Sequence, residues 1–131
     1  MALLESLDYL YTPSRDVAAD AAYLTDVLGG RLAFAIEDGG TRVAMVELGA
    51  GQPAIVLNDH LGGERPILVY RTADLAATTR DLAVRGWSTE HTLEIPQGPV
   101  TTFRTPGGQR LAIYERSRPF VLDSFAGRRD F

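Results

Sequence analysis

The chain has 131 residues, of which 45% are hydrophobic; it carries a formal net charge of −4 and contains no cysteine. This length fits one compact domain or two very small repeated units, and the hydrophobic fraction is too high for a disordered protein. A nucleic-acid-binding surface needs a basic patch, so the acidic balance predicts no nucleic-acid partner. The lack of cysteine excludes disulfides, thiolate catalysis and cysteine-bound zinc.

The sequence carries no sign of export or of membrane insertion. Residues 1–5 lack the basic region and the apolar run of a signal peptide. No apolar stretch approaches the roughly 18 residues that would indicate a membrane span. We therefore expect a cytoplasmic protein with no membrane partner.

The first half of the chain is predicted to form a strand, a helix and three further strands. Asp16 is a good N-cap, because its carboxylate can accept from the free amides of the first helical turn. The helix is predicted over residues 17–28 from its apolar spacing, and Gly29 and Gly30 end it. Turns that contain glycine separate the last three strands and indicate an antiparallel meander. The strands are predicted at residues 7–12, 31–37, 41–48 and 53–57.

The same order of elements recurs after a polar linker. Asp74 is a second N-cap, 58 residues after Asp16, and precedes a helical pattern that ends at Gly86. Strands are predicted at residues 67–72, 88–95, 100–104 and 111–115. The repeat predicts an α+β fold of two tandem βαβββ modules, which form a curved mixed sheet around a cavity. We place both modules, residues 7–58 and 67–115, in a single domain that spans residues 1–131 and ends in a C-terminal tail, residues 116–131.

This tail is rich in aromatic and aliphatic residues, and such segments are rarely left in water. We expect it to pack either on its own domain or on a partner subunit. Because aromatic residues and arginine are enriched at protein interfaces, the tail also leads us to predict a homodimer. The apolar members are Phe120, Val121, Leu122, Phe125 and Phe131.

Three segments carry a resemblance to a known family. Residues 7–12 with Arg15 and Asp16 are similar to the opening strand of a vicinal-oxygen-chelate module. Residues 23–30 are similar to that family's stretch of an aromatic residue followed by Leu-Gly, and residues 103–109 to its late Phe-x-Asp-Pro-x-Gly-Asn turn, with Thr105 and Gln109 as departures. Over residues 7–115 the chain thus resembles the glyoxalase/bleomycin-resistance/dioxygenase (vicinal oxygen chelate) superfamily. The resemblance implies a glyoxalase-like fold, but this fold serves several chemistries.

Catalytic members of this superfamily hold one divalent metal ion with His, Gln or Glu side chains. The resemblance places the four ligand positions at Tyr9, Val56, Ile67 and Ala112. Tyrosine is an uncommon ligand, and the other three side chains cannot coordinate a metal. We therefore predict neither a bound metal nor another cofactor. His60 and His91, the only histidines, show no paired ligand spacing and are expected to be solvated or structural.

Strand alternation predicts which side chains line the cavity, because every second residue of a strand points to the same face. Tyrosines, aliphatic side chains and one arginine would suit a flat or aromatic ligand with an anionic or carbonyl group. Alternatively, the tyrosines are core aromatics and Arg71 pairs with Glu47 or Glu115 at the surface. Trp87 is expected to pack between helix and sheet. The predicted ligand-binding residues are Tyr9, Tyr11, Val69, Arg71, Ala112 and Tyr114.

These observations favour a metal-free protein that binds a small organic ligand, such as an antibiotic or an aromatic metabolite that it sequesters. The alternative is a lyase, isomerase or dioxygenase of the same superfamily with a degenerate or shifted metal site. In that case Tyr and Arg side chains would serve as acid–base groups. A third interpretation is a subunit whose cavity is vestigial and whose surface serves an interaction.

Overall fold

A computed structural model describes residues 3–131. It contains two α-helices, α1 (Val17–Ala22) and α2 (Leu75–Val84), and eight strands: β1 (Ser6–Pro13), β2 (Arg31–Asp38), β3 (Thr41–Glu47), β4 (Ala54–Asn58), β5 (Ile67–Thr72), β6 (His91–Ile95), β7 (Gly98–Arg104) and β8 (Arg110–Glu115). The chain forms two compact units. The N-terminal unit comprises Tyr9–Pro66 and Asp123–Phe131, and the C-terminal unit comprises Ile67–Leu122 together with the residues up to Asp8. Each unit contains one strand, then a helix, then a three-stranded meander. The predicted α+β class and the βαβββ repeat are therefore confirmed. The division into modules at residues 7–58 and 67–115 stays a prediction.

The N-terminal unit holds four strands in the order β2-β3-β4-β1. The pair β1 and β4 is parallel, whereas β2, β3 and β4 pair antiparallel, so this part of the sheet is mixed. The core of the unit forms where the helix packs on the sheet, with Val17 and Ala21 against Ala35, Ala44 and Leu57. The elements are β1 (Ser6–Pro13), α1 (Val17–Ala22), β2 (Arg31–Asp38), β3 (Thr41–Glu47) and β4 (Ala54–Asn58).

The first helix is shorter as an α-helix than the sequence predicts. Asp16 is its N-cap and accepts from the Ala19 N–H at 3.0 Å, as expected. After Ala22 the helix continues as a π-helical turn over Tyr23–Val27, in which the Leu28 N–H donates to the Tyr23 carbonyl at 3.3 Å. The Thr25 hydroxyl donates to the Ala21 carbonyl at 3.0 Å. A hydroxyl that bonds back into the preceding turn competes with the backbone ladder, which explains the wider turn.

The C-terminal tail packs on its own chain. It runs along the outer edge of β2, where the Ala35 N–H donates to the Arg128 carbonyl at 2.8 Å and the Asp130 N–H donates to the Ala35 carbonyl at 2.7 Å. The Phe125 ring lies 5.6 Å from the Phe34 ring. Of the two packing modes left open by the sequence, the tail residues of the N-terminal unit therefore adopt the first.

The C-terminal unit holds its strands in the order β5-β8-β7-β6. Strands β5 and β8 are parallel and the other pairs are antiparallel, as in the first repeat. Asp74 caps the helix by accepting from the Ala77 N–H at 3.0 Å. The elements are β5 (Ile67–Thr72), α2 (Leu75–Val84), β6 (His91–Ile95), β7 (Gly98–Arg104) and β8 (Arg110–Glu115), and a short 3₁₀ turn follows at Val121–Ser124.

Strand β6 begins three residues later than the predicted strand at residues 88–95. The residue before it, Glu90, donates its N–H to the carbonyl of Thr102 at 2.7 Å, and Thr102 is also the register partner of His91, so the regular ladder begins only at His91. Within residues 3–131, neither helix is long and apolar enough to cross a bilayer.

Candidate functional site

The C-terminal unit contains a buried carboxylate. Asp8 is 2% exposed. Its carboxylate accepts a hydrogen bond from the Ser6 hydroxyl at 2.5 Å and a second, short one from the hydroxyl of Tyr114, which is fully buried. Burial of a charged group is costly unless hydrogen bonds and a countercharge compensate it. The two hydroxyls supply the first kind of compensation and hold the carboxylate in one orientation.

Arg71 supplies the countercharge. Its Nε lies 3.7 Å from an Asp8 carboxylate oxygen and 3.8 Å from a Glu5 carboxylate oxygen. Both separations allow Coulombic attraction but are too long for a hydrogen bond. The Nε–H is buried and has no hydrogen-bond partner within residues 3–131, although 27% of the Arg71 side chain is exposed. A buried donor without an acceptor costs free energy, so this N–H is suited to donate a hydrogen bond to a ligand oxygen.

Four of the predicted ligand-binding residues lie on the neighbouring strands β5 and β8. Val69 is directly opposite Ala112, and Arg71 is directly opposite Tyr114. Because residues two apart in a strand share a face, these four side chains form two adjacent cross-strand pairs. Val69 and Ala112 are both buried. The C-terminal unit thus places the apolar pair Val69–Ala112 next to the pair Arg71–Tyr114. Tyr114 donates a hydrogen bond to the Asp8 carboxylate, and Arg71 Nε lies 3.7 Å from it.

The two remaining predicted residues, Tyr9 and Tyr11, lie in the part of β1 that belongs to the N-terminal unit. They are paired with Ala54 and Val56 of β4. The Tyr11 hydroxyl lies 2.7 Å from His60 Nε2, so His60 is not merely a solvated linker residue. Burial raises the pKa of Tyr11 to about 12. That all six predicted residues share one cavity stays a prediction.

Other charged candidates have structural partners. Arg31, not Arg71, pairs with Glu47, and Glu115 accepts from the Leu75 N–H, so the surface pairings considered for Arg71 are wrong. Glu90 binds two arginines. The pKa of Glu90 is lowered to about 2, chiefly by the hydrogen bond from Arg104.

Two further candidates, Trp87 and His91, lie in the C-terminal unit. Trp87 packs edge-on against Phe103, with 5.5 Å between the ring centroids. This contact with a strand residue agrees with its predicted packing role. His91 lies exposed on β6.

No family model and no curated protein matches the sequence. Several solved structures match the fold. A methylmalonyl-CoA epimerase from Mycobacterium tuberculosis has a TM-score of 0.75 at 20% identity, with 91% of this chain and 93% of that chain covered. A hypothetical protein from Bacillus halodurans has a TM-score of 0.73 at 13% identity, with 86% and 95% covered.

A methylmalonyl-CoA epimerase in complex with methylmalonyl-CoA and NH4+ has a TM-score of 0.70 at 16% identity, with 88% of this chain and 96% of that chain covered. These epimerases are members of the superfamily that the sequence resembles. The chain has the vicinal-oxygen-chelate fold. At these identities the likeness establishes the fold, and the chemistry has to be argued from the residues of this chain.

The metal-ligand positions implied by the vicinal-oxygen-chelate fold do not suit a metal ion here. Val56, Ile67 and Ala112 lie in strands and are buried, and their side chains offer no donor atom. Residues 3–131 contain no group of three or more His, Asp or Glu side chains that could hold a metal. The donor set therefore does not fit the metal ion of catalytic superfamily members.

Sequence reasoning missed Asp8, Glu5, Ser6 and His60 as functional candidates. Asp8 alternates with Tyr9 in the opening strand, so strand alternation assigned it to the opposite face. A carboxylate in a strand that is otherwise apolar and aromatic was the available signal, since such a group is rarely buried unless it is paired. Nothing in the local pattern around His60 indicates that it meets Tyr11, which is 49 residues earlier.

Proposed function

We propose that the chain is a metal-independent isomerase that moves a proton next to the carbonyl group of a small acyl compound. One observation carries the proposal: the buried Arg71 Nε–H has no hydrogen-bond partner within residues 3–131 and lies within 3.8 Å of carboxylate oxygens of both Glu5 and Asp8. A guanidinium donor of this kind can bind a carbonyl oxygen, and the nearby carboxylates offer a base. The superfamily fold, shared with the epimerases, is consistent with this reaction class.

Arg71 would stabilise the charge that the reaction creates. When a base removes a proton from the carbon next to a carbonyl, the C–H electron pair moves into the C–C bond and negative charge collects on the carbonyl oxygen. A donor already oriented toward that oxygen stabilises the enolate more than the substrate, which lowers the barrier. The Arg71 side chain is 27% exposed, and we propose that a ligand approaches the guanidinium from this side.

Glu5 is the proposed base. Its side chain is 50% exposed, so a ligand can approach it, and its carboxylate lies within 3.8 Å of the Arg71 Nε. The backbone also fixes it, because the Glu5 N–H donates to the Arg71 carbonyl at 2.8 Å. Glu5 would take the proton from carbon, and protonation of the enolate by water on the opposite face would give the isomer.

Asp8 is proposed as a positioning residue. At 2% exposure it cannot touch a substrate, but its charge holds the Arg71 guanidinium in place. Ser6 and Tyr114 hold Asp8 in turn by hydrogen bonds. Preorganisation of this kind avoids reorientation of the donor during the reaction.

The test is exchange of the carbon-bound proton in D₂O, followed by proton NMR. The protein, treated with EDTA, is incubated with methylmalonyl-CoA, propionyl-CoA and simple 2-oxo acids. We expect the signal of the proton next to the carbonyl to disappear for at least one compound. Loss of a general base typically lowers a rate by about 10²–10⁴-fold, which is the decrease expected for Glu5→Gln.

Arg71→Met should also abolish measurable exchange, whereas Arg80→Met is the matched control, because Arg80 is an exposed arginine on α2 of the same unit. Asp8→Asn should lower kcat more than it changes KM, since Asp8 acts on the guanidinium rather than on the substrate. The isomerase is rejected if no compound exchanges. Its metal-free form is rejected if exchange stops with EDTA and returns with a divalent metal.

The second candidate is the metal-free binding protein. It is favoured by the apolar residues at three of the four metal-ligand positions, which fit containment of a ligand better than Lewis-acid catalysis. Isothermal titration with aromatic acids and drug-like compounds would then find a binder that undergoes no exchange. Arg71→Met should weaken it by about 1.5–3 kcal/mol, the range for a hydrogen bond to a charged group. If Arg71→Met and Tyr9→Phe both bind as tightly as wild type, the predicted ligand-binding residues are wrong.

We also propose a cytoplasmic location and a homodimer for the working protein. Elemental analysis of purified protein checks the accompanying expectation of no stoichiometric metal. About one iron, zinc, nickel or manganese ion per chain, retained after dialysis, would contradict it.

A further inference from the structure

Strand β6 is the open edge of the C-terminal unit. It is last in the strand order, and within residues 3–131 the strand that pairs with it is β7. Its residues His91 to Glu94 are exposed, including Leu93 at 45%. Edge strands of monomeric proteins are usually blunted by proline, lysine or a covering segment. The β6 strand contains neither residue, whereas the edge strand β2 is covered by the tail.

The register with β7 shows which backbone groups of β6 face outward. Glu94 lies opposite Pro99. Proline has no N–H, so these two residues form a pair without mutual hydrogen bonds. Because such pairs alternate along an antiparallel ladder, Thr92 opposite Thr101 is another. The N–H and C=O groups of Thr92 and Glu94 therefore point away from β7, toward the open edge.

This edge is complementary to itself. If two copies of β6 run antiparallel with Leu93 at the centre, Thr92 of each copy lies opposite Glu94 of the other. The outward groups of these residues then form four main-chain hydrogen bonds across the two-fold axis. Leu93 meets Leu93 as the close, non-hydrogen-bonded pair. A register centred on Glu94 would instead oppose two carboxylates, which is unfavourable.

The charge on β6 is already compensated. Arg118 Nη2 donates to the Glu94 carboxylate at 2.7 Å and to the Ile95 carbonyl at 2.8 Å, and Arg118 Nε donates to the Pro96 carbonyl at 2.8 Å. These bonds hold the end of β6 in place and neutralise its carboxylate. Repulsion between two Glu94 side chains, which would keep the edges apart, is therefore reduced.

We propose that the surface on which two copies of this chain associate is the β6 edge, paired antiparallel about Leu93. The partner is a second copy because this register joins the outward main-chain groups of Thr92 and Glu94, brings the exposed Leu93 side chains together and opposes no like charges. A contact through five residues per copy is small compared with the roughly 1,200 Å² of a stable interface, so the dimer should be weak. The inference is independent of the proposed catalysis, since none of its residues belongs to the Arg71 site.

Sedimentation velocity over a concentration series tests the proposal. Wild-type protein should shift from monomer to dimer between about 1 and 500 µM, the range of a weak interface. Leu93→Arg opposes two like charges and should raise the dissociation constant roughly tenfold or more. Thr92→Pro removes one outward N–H per copy but no bond to β7, and should act similarly while circular dichroism stays unchanged. Leu48→Arg, at an exposed leucine of the N-terminal unit, should leave the dimer intact.

Cross-linking tests the register separately, and the chain contains no cysteine that would interfere. Leu93→Cys places two sulfurs on a non-hydrogen-bonded pair with Cα atoms about 4.5 Å apart, within disulfide range. Thr92→Cys places them beyond that range. Rapid covalent dimerisation of Leu93→Cys and not of Thr92→Cys supports the proposal. A wild-type monomer at 500 µM, a dimer that both edge variants keep, or faster cross-linking of Thr92→Cys overturns it.

Discussion

The two units contain the same order of elements but differ in whether the edge strand is covered. Both begin a helix at an aspartate cap and pair their first and last strands in parallel. In the N-terminal unit the edge strand β2 is covered by the tail, whereas in the C-terminal unit the edge strand β6 is open. The repeat therefore determines backbone topology, while segments outside the repeat determine which edge is available.

The units also differ in their polar groups. In the N-terminal unit, the Tyr11 hydroxyl lies 2.7 Å from His60 Nε2, and the Tyr11 phenol, whose pKa burial raises to about 12, is neutral at ordinary pH. In the C-terminal unit, Asp8, Arg71 and Glu5 place full charges close together. Developing charge on a substrate is stabilised better by fixed charges than by a neutral pair. This difference is why the proposed chemistry lies in the C-terminal unit.

The largest expected effect on stability comes from a glycine in a β-hairpin of the C-terminal unit. In the N-terminal unit, a Cβ added to Gly39 in the β2–β3 turn would meet no atom within 4 Å. A Cβ added to Gly98, which begins β7, would lie 1.9 Å from the Glu115 carbonyl oxygen. Gly98→Ala should therefore lower the free energy of unfolding by about 3 kcal/mol or more, at the upper end for overpacking. Urea denaturation measures the change.

Gly107→Ala, in the other turn of the C-terminal unit, is the control, because no atom lies within 4 Å of its added methyl group. It should change stability by roughly 0.5 kcal/mol or less. A Gly98→Ala loss below that of the control would mean that β7 and the end of β8 are not in close contact.

The second prediction concerns the covered edge. Phe131 packs against the core of the N-terminal unit, and the Arg42 guanidinium lies 4.7 Å above its ring. Phe131→Ala should cost about 2 kcal/mol, less than the 3–5 kcal/mol of a fully buried phenylalanine because the ring is only partly buried. Amide exchange should accelerate in β2 and not in β6.

Phe120→Ala is the matched control for the tail, since this phenylalanine is 78% exposed. Its stability should stay within about 0.5 kcal/mol of wild type. Equal losses for both variants, or exchange that accelerates equally in both edge strands, would contradict the asymmetry between the units.

The sequence predicts the fold better than the site, for physical reasons. Aspartate caps, glycine stops and strand alternation are local signals, so they locate eight strands and two helices within a few residues. The partners of Arg71 depend on which strands become neighbours. Asp8 and Tyr114 meet although they are 106 residues apart, and no local pattern encodes that contact. The π-helical turn was also missed, because its cause is one hydroxyl bond from Thr25.

The third prediction uses acid to test the charge cluster around Glu90 in the C-terminal unit. The hydrogen bond from Arg104 lowers the pKa of Glu90 from 4.5 to about 2. Glu90 therefore stabilises the fold above pH 4.5, and this contribution is lost as the pH falls from 4.5 to 2. Glu90→Gln and Arg104→Met should each flatten the stability curve in that window, measured by thermal unfolding. Variants whose curves stay as steep as wild type would show that the pairing adds nothing to stability.

The smallest effect is expected from Tyr11, and it is confined to alkaline solution. Burial raises the pKa of Tyr11 from 10 to about 12, so the unfolded chain loses this proton at lower pH than the folded chain. Stability from this group is complete below pH 10 and falls as the pH rises from 10 to 12. Tyr11→Phe should remove that part of the alkaline slope, and absorbance at the phenolate band should show one late-titrating tyrosine fewer.

Tyr23→Phe, at a site 56% exposed, is the control and should leave the late component in place. If Tyr11→Phe retains the late component, the late-titrating phenol belongs to another tyrosine, and the raised pKa assigned to Tyr11 is wrong.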